Sequence, residues 1–159
     1  MTRGLLGWLN LSDGIKTAVG GAFTQTVLDT HLNTIRQEGG KPNSIVMSVA
    51  NKLVFNGFTS ADEVKQDVAD RTTGRIVETY LADGLGGIPV VVDLDMPDDT
   101  IAVVDTNKLS KGWKVGDELR MVDEPPVNSR QMAKTIQGKF GLAVENIGQS
   151  HGLLTGLTT

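Results

Sequence analysis

The chain has no cysteine. That excludes a disulfide framework, thiolate chemistry and any thiolate-held zinc or iron–sulfur centre, and it fits a reducing cytoplasm. Histidine is nearly as scarce. His31 and His151 are the only two, too few to complete a catalytic zinc site by themselves. Aromatics supply 4% of the residues, so the expected core is aliphatic, built of Val, Ile and Leu. No run approaches the roughly 18 uninterrupted apolar residues of a membrane helix. The stretch Met1–Leu9 has one Arg and a short apolar patch without a cleavage pattern, and does not read as a signal peptide. Positive charge is not in excess either. A net charge of −4 and a pI near 5.1 argue against nucleic-acid binding through global charge.

Glycine, by contrast, is abundant at 19 of 159 residues, which predicts many tight turns. The length suits one domain, residues 1–159, able to bury roughly 70% of its unfolded surface. The most informative junction is Glu38-Gly39-Gly40-Lys41-Pro42-Asn43. Gly39 or Gly40 can take the left-handed conformation that ends a helix, and Pro42 prevents a restart. Upstream, Phe23, Val27, Leu28, Leu32 and Ile35 share one face of a helix expected over 21–37, with His31 beside that stripe as a packing or hydrogen-bonding residue. Downstream, Ile45-Val46-Met47 reads as a buried strand. Ser48 then caps a helix carrying Val49, Leu53, Val54 and Phe58. Ser60 and Glu63 have capping-box spacing for a short helix to about Ala69, with Val64 and Val68 inward.

Beyond Arg71 the period changes from 3.6 to 2. Strands are expected at 75–81, at 88–94 with Pro89 marking an edge or bulge, at 100–104, at 118–122 and at 150–155. Pro125-Pro126 breaks the chain, and 132–145 is extended with interruptions at Gly138 and Gly141. Residues 1–20 are expected to be extended or loop, with Trp8 and Leu9 docked. Helices first and strands second predict an α+β layering.

The inventory for chemistry is thin. Gly148-Gln149-Ser150-His151-Gly152 matches G-x-S-x-G, the nucleophile elbow, which needs a strand before the Ser, a helix after it, and an acid and a His downstream. The seven residues after Gly152 include no Asp, Glu or His. A polar turn between strands is the expectation, and a serine hydrolase using Ser150 is the third-ranked function. Asp93, Asp95, Asp98 and Asp99 supply hard oxygen donors, but without EF-hand spacing they read as a solvated turn. Gly84-Leu85-Gly86-Gly87 precedes a strand and is a turn, not a phosphate cradle. Glu63, Asp67 and Asp70 form an acidic helix face. Lys108, Lys111, Lys114 and Arg120 form a moderate basic cluster on a solvated loop. No catalytic, cofactor-binding or metal-binding residue is assigned.

Several short motifs, in order, resemble one family. They are Val27-Leu28 through Leu32 and Ile35, Glu38–Met47 with Lys52 and Phe58, Arg75–Tyr80 followed by Val90–Asp93, Thr100–Asp105 with Lys108-Leu109, and Gly141–Asn146 with Ser150-His151-Gly152. This succession is similar to tailed-phage major capsid (major head) proteins of the Hong Kong 97-like fold. Arg3–Leu9 resembles the stretch after that family's long spine helix. The resemblance implies an axial domain with a mixed β-sheet flanked by helices, plus return strands of the peripheral domain. Such subunits usually run to about twice this length, so the chain corresponds to the C-terminal half, without the N-terminal arm, extended loop and spine helix. The implied function is a non-enzymatic structural protein of the virion, made in the cytoplasm of a bacterial host. It self-associates in pentamers and hexamers of an icosahedral head enclosing double-stranded DNA. Implied partners are copies of itself, packaged DNA through non-specific contacts, and scaffold, portal or decoration proteins, with no membrane and no cofactor. The Gly-rich segment 82–87 and the Pro125–Arg130 connection are the expected axis-facing or neighbour-facing loops. The alternative is a small α+β protein-interaction domain without catalytic activity.

Overall fold

The computed structural model describes residues 4–11, 13–58, 79–82, 84–124 and 133–158. In chain order its first elements are α1 (Leu5–Leu9), β1 (Ile15–Ala22), α2 (Gln25–Gln37), β2 (Ser44–Met47) and α3 (Val49–Phe55). Next come β3 (Thr79–Ala82), β4 (Gly86–Val92), β5 (Ile101–Val104), a 3₁₀ turn (Thr106–Lys108), β6 (Leu109–Trp113) and β7 (Arg120–Glu124). The last are β8 (Ala133–Gln137), β9 (Phe140–Val144), α4 (Ile147–Ser150) and β10 (Gly152–Thr158).

Six strands make one mixed sheet in the order β1-β10-β5-β2-β4-β3. The β1–β10 and β2–β4 pairs are parallel, and the others are antiparallel. Central β5 is buried along its whole length, and alternation splits it between two cores. Ile101 and Val103 face the larger one with Leu28, Leu32 and Ile35 of α2, Phe55 of α3, Ile45, Met47, Ile88 and Leu154. Ala102 and Val104 face a smaller one with Leu9 of α1, Met96 and Leu153. The body is thus a helix layer, a sheet, and a second apolar cover, which is the α+β architecture expected.

The glycine-proline junction forms as predicted. The N–H of Gly40 bonds the Ile35 carbonyl at 2.9 Å and that of Gly39 bonds Arg36 at 3.0 Å, the paired bonds of a Schellman motif. Gly39 takes φ +86°. A β-carbon on Gly40 would lie 2.2 Å from the Gln149 carbonyl oxygen and 2.6 Å from Ile35 Cγ2. Gly40→Ala is therefore expected to cost about 1–3 kcal/mol through overpacking against backbone, read from the shift in a urea unfolding midpoint. Ser48 caps α3, its side chain accepting from the Asn51 N–H at 3.3 Å.

Elsewhere local pattern was overruled. Residues 5–9 are helical, and Gly21 and Ala22 belong to β1, so α2 starts after the Thr24 cap. On α3 the inward residue is Phe55, at 1% exposure, whereas Leu53 is 69% exposed. Phe55 wins because it packs edge-on against both Phe58 and Tyr80. β4 is not an edge strand, although Pro89 sits opposite Thr79, the first residue of β3, and just before Val90, the first to pair with β2. Among the described residues its missing donor therefore falls at a ladder end. The helix expected at 60–69, the strand residues 75–78, the acidic face Glu63, Asp67 and Asp70, and the Pro125-Pro126 break lie outside the described residues.

Candidate assembly surfaces

The residues singled out for chemistry do not converge. Ser150 ends a short helix and precedes a strand, the reverse of the strand–Ser–helix order an elbow requires. It is buried, and both ring nitrogens of neighbouring His151 are committed: Nδ1 accepts the Asp105 N–H at 3.1 Å, and Nε2 lies 3.0 Å from the Glu145 carbonyl. His31 is buried on the inward face of α2, its Nδ1 2.9 Å from Thr17 Oγ1. Burial lowers its pKa to about 4, so the ring is neutral at pH 7. Asp93, Asp95, Asp98 and Asp99 are all exposed, and Asp93 spends an oxygen on the Asp95 N–H. Among the described residues no group of three or more His, Cys, Asp or Glu is placed to hold a metal ion.

What the fold does present is uncovered apolar surface, in two places. The first is a ribbon. β6 pairs with β9 and β7 with β8, so 109–124 runs out and 133–144 runs back. Cross-strand partners share a face. Leu109–Val144, Lys111–Leu142 and Trp113–Phe140 therefore line one side of the proximal half, and Ser110–Ala143 and Gly112–Gly141 the other. Trp113 and Phe140 meet edge-on at 5.8 Å while remaining 41% and 56% exposed. Lys111 Nζ sits 4.5 Å and 4.3 Å from their ring centres. In the distal half Met121 faces Ile136, both 65% exposed. Between the halves, six residues on one strand oppose two on the other. There Asp117 is gripped by Lys114 at 2.6 Å and Lys139 at 3.3 Å. Hydrogen bonds from these lysines, Lys114 first, hold the Asp117 carboxyl below the usual carboxylate range. The expected basic loop is thus the outgoing side of this ribbon, with Lys111 stacked on aromatics.

The second place is the opposite end of the sheet. β5 runs from the acidic turn at 93–99 to the ribbon root, so the two are separated by its length. Met47 pairs with both Ile101 and Val92, which puts the start of α3 and the end of β4 beside that turn. Asn51 ties them together by donating to the Asp98 carbonyl at 2.8 Å. Val49, Leu53, Val91, Val92 and Leu94 are exposed there, Leu94 at 85%. Residues 109–144 carry six basic against four acidic side chains, and the rest of the chain nine against fifteen. The body is acidic and the ribbon mildly basic. The ribbon's apolar faces were hidden from sequence reading because its alternation is diluted by Gly112, Gly138 and Gly141. Only the pairing reveals them.

A mixed sheet with helices, a projecting two-stranded ribbon and apolar surface in place of a reaction centre is the architecture of Hong Kong 97-like capsid subunits. The chain is similar to one in the cyanophage A-1(L) capsid asymmetric unit, with a TM-score of 0.60 at 15% identity, covering 92% of this chain and 52% of that one. It is similar to a chain of Gordonia phage Cozz (0.57, 15%, 100% and 54%). It also resembles a chain from the capsid of an empty GTA particle (0.55, 18%, 90% and 50%). The chain spans about half the length of these solved relatives. A search of curated proteins finds no match. The family model described as SU10 major capsid protein matches residues 1–158, and the chain belongs to that family. That family is one of major capsid proteins.

Proposed function

We propose that this chain is the shell-forming part of a phage head subunit, meeting copies of itself in pentamers and hexamers around double-stranded DNA in the virion. In this reading the six-stranded body is the axial domain and the ribbon is the returning part of the peripheral domain. The subunit would be made in the bacterial cytoplasm. Scaffold, portal or decoration proteins would be further partners, and contact with packaged DNA would be non-specific and salt-sensitive.

The observation that carries this reading is the pair of uncovered apolar regions, one on the ribbon and one at the far end of the six-stranded sheet. A monomer gains nothing by exposing them. Different patches meeting head to tail generate closed rings when the rotation fits. Many weak contacts then add up over a shell without any single strong site. Catalysis finds no support in such a surface, and no reaction is assigned.

Met121→Lys combined with Ile136→Lys is expected to suppress self-association while leaving the thermal midpoint within a degree or two, since both side chains are already exposed. Light scattering and a melting curve of the same sample read both properties. Unchanged assembly would remove the ribbon from the interface.

A further inference from the structure

His151 lies where the ribbon joins the body, and one ring holds both roots. Asp105, which donates to Nδ1, follows the last residue of β5; Glu145, whose carbonyl meets Nε2, follows the last residue of β9. A backbone N–H can only donate, so Nδ1 is bare and the proton sits on Nε2, where it donates to Glu145. The ring is fully buried. The roots also touch directly, the Glu145 N–H bonding the Lys108 carbonyl at 2.9 Å. Beyond the roots, β6 to β9 form ladders only with one another among the described residues. The joint works beside two other ties: the Asn43 side chain accepts the Thr106 N–H and donates to the Thr106 hydroxyl, each at 2.9 Å, and α1 packs against β9.

We propose that His151 is an acid-released pin at the ribbon's base: the neutral ring locks the ribbon's orientation, and protonation frees it. A second proton on Nδ1 would point at the Asp105 N–H, turning an acceptor into a donor and burying a charge. The groups facing the ring are few. The Asp105 carboxylate favours the charged form, but one of its oxygens already accepts the Asn107 N–H at 3.1 Å. Glu145 presents its carbonyl while its side chain is exposed, and Lys108 sits half-buried on the 3₁₀ turn. On the far side of Gly152 lies the neutral ring of His31. Burial outweighs both the hydrogen bond to the Glu145 carbonyl and the attraction of Asp105, which sets the ring's pKa below its ordinary value and puts the release on the acid side. The device is a property of the fold and does not depend on the shell reading.

Because the chain lacks cysteine, Gln37→Cys on α2 and Gln137→Cys on β8, both exposed, can carry spin labels without further changes. Dipolar spectroscopy should give a narrow distance distribution at about pH 7.5 that widens at least about twofold as the pH is lowered below the ordinary imidazole range, with far-UV circular dichroism unchanged. His151→Asn offers Asp105 an acceptor that does not titrate, and its distribution should stay narrow throughout. Nitrogen-15 spectra of the parent imidazole supply a readout independent of that variant: Nδ1 should become protonated over the same pH interval in which the distances widen. Equal widths in the parent throughout, equal widening in His151→Asn, widening only together with loss of circular dichroism, or Nδ1 protonation in a different interval would each overturn the proposal.

Discussion

Replacing Leu32 with alanine should lower the unfolding free energy by about 2–5 kcal/mol, among the largest single-residue effects available here. Leu32 is 2% exposed on the inward face of α2, packed into the cluster that includes Ile45, Ile101, Val103 and Leu154. Truncation removes transfer free energy and leaves a cavity, because a helix capped by Thr24 at one end and pinned by the Schellman motif at the other cannot slide inward to fill it. The matched control is Leu53→Ala on α3. Its side chain is 69% exposed, so the change should stay within about 0.5 kcal/mol. Denaturant titration of the two variants separates them. Similar losses would mean that the buried and exposed faces have been misassigned.

Acid should destabilise the fold through His31 by an amount of similar size. Its imidazole is fully buried, with Nδ1 on Thr17 and Nε2 without a partner against Gly152, where a β-carbon would lie 2.2 Å away. Burial alone lowers the pKa from 6.5 to about 4. The folded ring thus resists a proton that the unfolded ring accepts. Stability from this group is complete above about pH 6.5, falls as pH drops, and levels off near pH 4, with a total loss of about 3 kcal/mol. His151 shifts in the same direction. Chemical denaturation at closely spaced pH values should show the slope, and His31→Gln should flatten it. A pH-independent unfolding free energy between those limits would contradict the neutral buried ring.

Local physics was legible in the sequence, whereas long-range pairing was not. The Gly39–Pro42 junction and the Ser48 cap were readable because each depends on the backbone of a few adjacent residues. The strand at 101–104 was visible within the stretch 100–104, although its burial on both faces was not read. The inward face of α3 was not legible because seven residues make barely two turns, and Leu53 and Phe55 then compete on apolarity alone. What decides between them is Tyr80, twenty-five positions beyond Phe55. Pro89 suggested an edge or bulge because the sequence does not show where its described ladder partners begin. Of the ribbon, a strand at 118–122 and an extended stretch at 132–145 were readable, but β6 was expected as a loop, and its pairing joins residues such as Leu109 and Val144 that lie far apart in the chain. His151 was the furthest from view. Its role rests on Asp105, forty-six residues away, and on a carbonyl that has no side-chain signature. The functional class came from the ordered resemblance to capsid proteins, since composition by itself allowed any catalytically empty α+β domain.

Electron microscopy of the full-length expressed gene product tests the central claim most directly. Closed shells, or five- and six-membered capsomers, are the predicted result. Monodisperse single subunits at high concentration, with both apolar ends left in water, would contradict it.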